Sequence, residues 1–305
     1  METQPKIAVL IAHYNSGKYF AQAFESLLHQ TETAWEAVIV DDASTDGSPD
    51  LVESLIREDS RFTLIKNTHN QGYVAALKRA VTASGAPIFV LLDPDDALEP
   101  EALEKAIEAH EAHPDAGLVY ANHFVCDGAL QIQRVHECRQ VTDLTAEESF
   151  LYHGEISHFA SFKRKFFDRT EGVHLFNKRA PEVDLYLKMC EVAPVFHLNE
   201  ELYRYRVRPG SLRQHENAER TRFWYWVAAI RMAERRKLNI EDFFVKHCAR
   251  RSELQVYIDR EVRLKKMLRA NILLRSAFKL GHRLRFYDAD RILEPDNMLN
   301  WPARH

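Results

Sequence analysis

Over the first 125 residues the chain repeats one order: a short Val- and Ile-rich run, a polar turn, then a stretch whose apolar residues recur at helical spacing. That order predicts successive βα units. The predicted strands are Ile7–Ala12, Ala37–Val40, Phe62–Ile65, Ile88–Leu92 and Leu118–Tyr120. They are apolar nearly throughout, as strands covered on both faces are. Between them, helices are predicted over Tyr19–Gln30, Pro49–Glu58, Tyr73–Ala83 and Pro100–His110. Pro49 and Pro100 suit a first turn, where no backbone N–H is needed. Beyond residue 125 the pattern weakens. Asp143-Leu-Thr-Ala-Glu-Glu148 predicts a helix start capped by Asp143 or Thr145. His158–Phe167 is mixed, Glu182–Val192 reads as a helix, and Val195–His197 and Tyr203–Val207 read as the last strands. From Asn217 onward the pattern is helical, with a break at Gly281.

The expected fold class is therefore α/β, a Rossmann-like, mostly parallel sheet flanked by helices, with a helical C-terminal extension. At 305 residues and 46% hydrophobic content the chain can bury a sizeable core, and 28% charged residues cancelling to −4 fit neither a disordered nor a fibrous chain. Cysteines at 126, 138, 190 and 248 form no CxxC pair and have no Cys or His at zinc-ligand spacing beside them. Neither a zinc knuckle nor a disulfide framework is expected. No apolar signal core and no run of about 18 apolar residues occurs, so the expected setting is the cytoplasm, without a membrane span.

In a mostly parallel sheet, ligands bind beyond the carboxyl ends of the strands. Three predicted strands end in unusual chemistry: His13-Tyr-Asn-Ser-Gly17, Asp41-Asp-Ala-Ser-Thr-Asp-Gly-Ser48 and Asp93-Pro-Asp-Asp96. Either acidic turn taken alone reads as helix capping. Two of them at neighbouring strand ends read as carboxylates gathered around a hard cation, Mn2+ or Mg2+, with a diphosphate beside it. Neither GxGxxG after the first strand nor GxxxxGK[ST] is present, which argues against dinucleotide oxidoreductases and P-loop NTPases.

Four segments, Val9-Leu-Ile-Ala-His-Tyr-Asn15, Val38-Ile-Val-Asp-Asp-Ala-Ser-Thr-Asp46, Asn70-Gln-Gly72 and Ala83 to Asp96, resemble in order and spacing the family-2 inverting glycosyltransferases of GT-A fold. The resemblance implies a GT-A catalytic domain over 1–215, its nucleotide-binding part about 1–125 and its acceptor part about 126–215, followed by the extension 216–305. It implies a nucleotide-sugar donor, a UDP-sugar being favoured, held by Ala12, His13, Tyr14, Asp42, Asp93 and Asp95. Asp42 would accept from the nucleobase ring N–H. Asp95 and Asp96 would divide ribose contact and metal ligation between them. Pro181-Glu-Val-Asp-Leu-Tyr-Leu-Lys188 stands where the family carries its base, which the resemblance places on Asp184, with Glu182 and His158 on the acceptor side. Tyr203 to Arg213 resembles the loop over the diphosphate, making Arg206 and Arg208 candidate phosphate contacts. The acceptor expected is a glycan or a lipid-linked sugar, in cell-surface polysaccharide or glycoconjugate synthesis.

Two other enzyme and signalling readings compete. A sugar nucleotidyltransferase would want a Gly-rich basic loop where His13–Lys18 stands, and a Mg2+-binding phospho-acceptor module would use Asp41 and Asp42 without Asp93–Asp96. Residues 246–286 hold twelve Lys or Arg against three acids, a net +9 that leaves −13 on the rest. Apolar residues at near-helical spacing there predict a basic amphipathic helix, which either docks on the inner leaflet of the membrane or forms a solvated bundle or dimer contact. Aromatics are not interleaved with these cations, so nucleic acid is not an expected partner.

Overall fold

In a computed structural model, which describes residues 4–141, 155–179, 181–208 and 216–245, the strands assemble into one nine-stranded sheet. They are β1 (Ile7–His13), β2 (Trp35–Asp41), β3 (Phe62–Lys66), β4 (Ile88–Leu91), β5 (Ala97–Leu98), β6 (Leu118–Cys126), β7 (Ile132–His136), β8 (Ala160–Lys163) and β9 (Val195–Arg206). The order is β3-β2-β1-β4-β8-β6-β9-β5, with β7 beside β6. β1 to β4 are mutually parallel and β9 is parallel to β6, while β8 runs antiparallel to both β4 and β6. Six strands therefore point one way and bring their carboxyl ends to one edge. β1 is buried at every residue because it lies between β2 and β4, whereas β3, at the sheet edge, is largely open.

Helices α1 (Gly17–Leu28), α2 (Ser48–Ile56), α3 (Tyr73–Ala83) and α4 (Ala102–Ala112) alternate with these strands. α1 buries Phe20, Ala23, Phe24 and Leu27, the three- and four-residue spacing of a single face. Each such side chain contributes roughly 1.5–3 kcal/mol on leaving water, the alanine less. Pro49 sits in the first turn of α2 as predicted, but Pro100 precedes α4, its carbonyl accepting from Thr31 N–H at 2.9 Å.

The weaker half of the pattern is where sequence and structure part. β6 runs to Cys126 instead of stopping at Tyr120, and the two predicted final strands are one, β9. Ala121 pairs with Leu198 and Asn122 with Glu201, so Asn199 and Glu200 bulge out of the ladder. Those polar residues interrupt the apolar pattern without ending the strand. His158–Phe167 resolves into β8 and the short α5 (Arg164–Phe167), and α6 (Pro181–Val192) agrees with prediction. The helix start predicted at 143–148 and the basic segment 246–286 lie outside the described residues.

Residues up to Arg236 form one compact unit and those from Lys237 a second. The first includes α7 (Glu216–Arg235), which the sequence reading placed in the extension. Its buried residues are Ala228, Ala229, Met232 and Ala233, while Phe223 is exposed. Arg235 ties α7 to α6 through a bidentate contact with Glu191, at 2.9 and 2.7 Å. In the second unit, Asn239 caps α8 (Ile240–Phe243) by accepting from the N–H groups of Glu241 and Asp242. Among the described residues no helix is long and apolar enough to cross a membrane.

Candidate active site

The turns after β1 and β2 are stitched to each other. Asn15 N–H donates to Ser44 Oγ at 2.9 Å, and Thr45 N–H donates to Asn15 Oδ1 at 2.8 Å. Asp46 accepts from Gly17 N–H at 3.3 Å and from both Ser48 N–H and its hydroxyl. Gly17 is required there, since a Cβ would stand 2.7 Å from that of Ser48. With the Ser48 proton directed at Asp46, His13 donates to Ser48 Oγ through Nε2 at 2.8 Å. The imidazole is fully buried, and burial lowers its proton affinity. His13 was expected to touch the donor, yet its side chain does not reach the main cavity, because the last residue of a central strand points into the core here.

Asp42 is equally committed. It accepts from Asn67 Nδ2 at 2.7 Å, from Gln71 N–H at 2.9 Å and from Gly72 N–H at 2.7 Å. These bonds anchor the Asn70-Gln-Gly72 turn, where Gly72 takes φ of 90° before α3. A carboxylate offers about four acceptor sites, so roughly one remains for a nucleobase. Asp41 and Asp42 are both 2% exposed, which removes the open acidic pair a phospho-acceptor module would need.

The turn after β4 opens into a cavity of about 900 Å³, lined on one side by Ala12, Tyr14, Asp93 and Asp95. Asp96 lies behind it, accepting from Arg206 N–H at 2.7 Å and from the Tyr203 hydroxyl at 2.8 Å. β9 thus holds the turn in place across the sheet. Arg206 also lines the cavity, but its guanidinium donates to the carbonyls of Asp95 and Gly128 and to Gln22. The guanidinium expected to meet a phosphate is here satisfied by protein acceptors. Arg208 is different, partly exposed and paired with Asp95 Oδ2 at 2.5 Å.

α6 presents Glu182 to the same cavity, whereas Asp184 is not among its lining residues. Residues two apart on a helix diverge by about 200°, so only one of them can face the site. Asp184 is 4% exposed and bound to the buried Lys188 Nζ at 2.7 Å, with Arg235 at 3.7 Å. Asp184, the expected base, is therefore not among the residues lining the cavity, and the α6 carboxylate that lines it is Glu182. Lys178 and Arg179, together with Thr221, Arg222 and Tyr225 of α7, also line the cavity and were not anticipated. For the three α7 residues the only sequence signal is the richness of 216–235 in aromatic and basic residues.

Three carboxylates in four residues leave the turn short of positive charge. Burial first, then the charges of Asp93 and Asp95, push Asp96 well above the usual carboxylate range. Ligand atoms of Asp93, Asp96 and His158 lie within 4.8 Å of one another. Two carboxylates and an imidazole suit Mn2+, and the oxygen donors suit Mg2+. Of the pair expected to ligate a cation, Asp96 belongs to this group and Asp95 turns to Arg208. His158, expected on the acceptor side, stacks on Tyr205 at 4.0 Å beside the acidic turn.

Residues 8–170 match the family described as glycosyl transferase family 2. A chondroitin synthase of Escherichia coli is 29% identical over 201 residues, 65% of this chain but only 28% of that protein. Glycosyltransferase GlyG of Streptococcus pneumoniae is 24% identical over 229 residues, 69% of this chain and 73% of that one. Among solved structures, S. aureus TarS with UDP-GlcNAc superposes with TM-score 0.59 at 18% identity, over 75% of this chain and 65% of that one. A mannosyltransferase from Pyrobaculum calidifontis with GDP-Man and Mn2+ superposes with TM-score 0.62 at 19% identity, over 95% and 83% of the two chains. These likenesses establish a fold of the GT-A type.

Proposed function

From the premise that the chain belongs to glycosyl transferase family 2, we propose that it moves a sugar from a nucleoside-diphosphate sugar to a hydroxyl acceptor with inversion. The observation that carries this reading is that one cavity is lined by Asp93, Asp95 and Arg208 together with Glu182. Ala12 and the exposed ring of Tyr14, with the remaining acceptor site of Asp42, would receive the nucleobase. A UDP-sugar is the donor to try first, and GDP-mannose the second, given the ligands of the two structural neighbours. Asp93, Asp96 and His158, with Asp95 adjoining, would hold Mn2+ or Mg2+. When bound, that ion supplies positive charge to the departing diphosphate.

Glu182 is the general base in this reading. It accepts the acceptor's hydroxyl proton as that oxygen bonds to the anomeric carbon and the bond from that carbon to the diphosphate oxygen breaks on the opposite face. Arg208 exchanges Asp95 for a phosphate oxygen. The acceptor is a glycan or lipid-linked sugar of a cell-surface polysaccharide, and the basic segment 246–286 would bring the enzyme to the inner leaflet. A panel of nucleotide sugars tested for hydrolysis with Mn2+ or Mg2+ decides the main point. Release of nucleoside diphosphate from one of them is expected. No turnover and no nucleotide binding, with or without metal, would end the proposal. Liposome co-sedimentation unaffected by deleting 246–305 would end its membrane part.

A further inference from the structure

A second group of side chains that could ligate a metal lies beside the cavity, with no carboxylate among them, and one of its members, His136, lines that cavity. β6 and β7 pair so that His123 stands directly opposite His136, their ring centroids 4.6 Å apart. Cys138 follows His136 by two residues, the spacing that returns a side chain to the same side of extended backbone. Its place is held by other bonds: Cys138 N–H donates to Asn122 Oδ1 at 2.9 Å. The Tyr120 hydroxyl donates to Arg139 O at 2.6 Å and accepts from Val141 N–H at 2.9 Å. As a result the ligand atoms of His123, His136 and Cys138 lie within 4.8 Å of one another.

We propose that His123, His136 and Cys138 form a site for a borderline-soft divalent cation of the Zn2+ class, distinct in its ligands from the acidic turn. Three ligands of one tetrahedral zinc, with bonds of about 2.0–2.3 Å, stand roughly 3–4 Å apart, so modest side-chain rotation closes the observed spacing. Two imidazoles and a sulfur favour zinc, cobalt or nickel over Mg2+ and Mn2+, which prefer the oxygens of Asp93 and Asp96. Burial raises the Cys138 thiol to about 12, so at neutral pH the sulfur gives its proton to solvent as the metal–sulfur bond forms. His123 and Cys138 are buried, while His136 lines the main cavity. The cation therefore has an approach through the cavity, and a fourth position for water or a ligand oxygen. The site ties β7 and the segment after it to β6, fixing one wall of the cavity.

The test uses the full chain, stripped with chelator and titrated with Co2+. One equivalent is expected to produce the near-ultraviolet charge-transfer absorption of a cobalt–thiolate bond, displaced by Zn2+ but not by excess Mg2+. Cys138→Ser should abolish the band, and His136→Gln should weaken Co2+ binding at least tenfold. A titration without a thiolate band, or a band that survives Cys138→Ser, overturns the proposal. Should Cys138→Ser fail to fold by circular dichroism, His136→Gln decides, and an unchanged Co2+ affinity overturns it equally.

Discussion

In the turn after β2, Asp42 and Asp46 are surrounded by backbone N–H groups of their own and neighbouring loops. In the turn after β4, Asp93 and Asp95 face the cavity and only Asp96 is turned inward. Both turns follow central parallel strands at the same edge of the sheet, and both are rich in Asp. What separates them is the supply of donors. The β2 turn lies against the starts of α1, α2 and α3, whose unsatisfied N–H groups take up its carboxylates. The β4 turn is followed by β5 and faces β9, and Arg206 at the end of β9 and Arg208 just beyond it hold the turn.

The largest effects should come from the cavity carboxylates. Glu182→Gln is expected to lower turnover by about 10²–10⁴-fold while leaving nucleotide affinity within twofold, measured by steady-state kinetics and calorimetry. Retention of more than a tenth of the activity would show that another group takes the proton. Asp184→Asn removes the partner of a buried lysine and should cost about 3–5 kcal/mol in urea unfolding. If instead stability holds and activity vanishes, the roles of the two α6 carboxylates are reversed.

The comparison of the turns is tested next by a matched pair. Asp42→Ala strips three N–H groups of their acceptor and should cost about 2–3 kcal/mol. Asp93→Asn keeps a polar group of the same shape facing the cavity and should cost less stability than Asp42→Ala, but abolish Mn2+-dependent nucleotide binding. Equal losses of stability in the two variants would erase the distinction.

Smaller, and opposite in sign, are the effects of pH. Burial lowers the proton affinity of His13, so as the pH falls through its ordinary 6.5 the unfolded chain takes up a proton more readily than the folded chain. Stability contributed there falls as the pH drops. Burial favours the protonated form of Asp96 above its ordinary 3.8, so the folded chain binds the extra proton and that contribution is lost as the pH rises. Asp96→Asn should flatten the upper side of the stability profile measured between pH 4 and 8. Saturating Mn2+ should do the same in the wild-type chain by supplying the missing charge.

The sequence by itself determined the βα alternation, the core strands and the family, because those depend on local periodicity and on motifs contiguous in the chain. Tyr73–Ala83 is the same helix in both readings, and the turns after β1, β2 and β4 were found where strands end. It also located the turn Asp93–Asp96 and the segment 181–188, but not the orientation of each carboxylate. Glu182 and Asp184 are two residues apart in one motif, and helix phase against the sheet sends one to the cavity and the other to Lys188. Arg206 and Arg208 are likewise two apart, and only the first meets the carbonyls that occupy it. The grouping of Asp93 and Asp96 with His158, and of His123 with His136 and Cys138, rests on strand order and register. Such contacts form between segments distant in sequence, so only the tertiary structure could decide them.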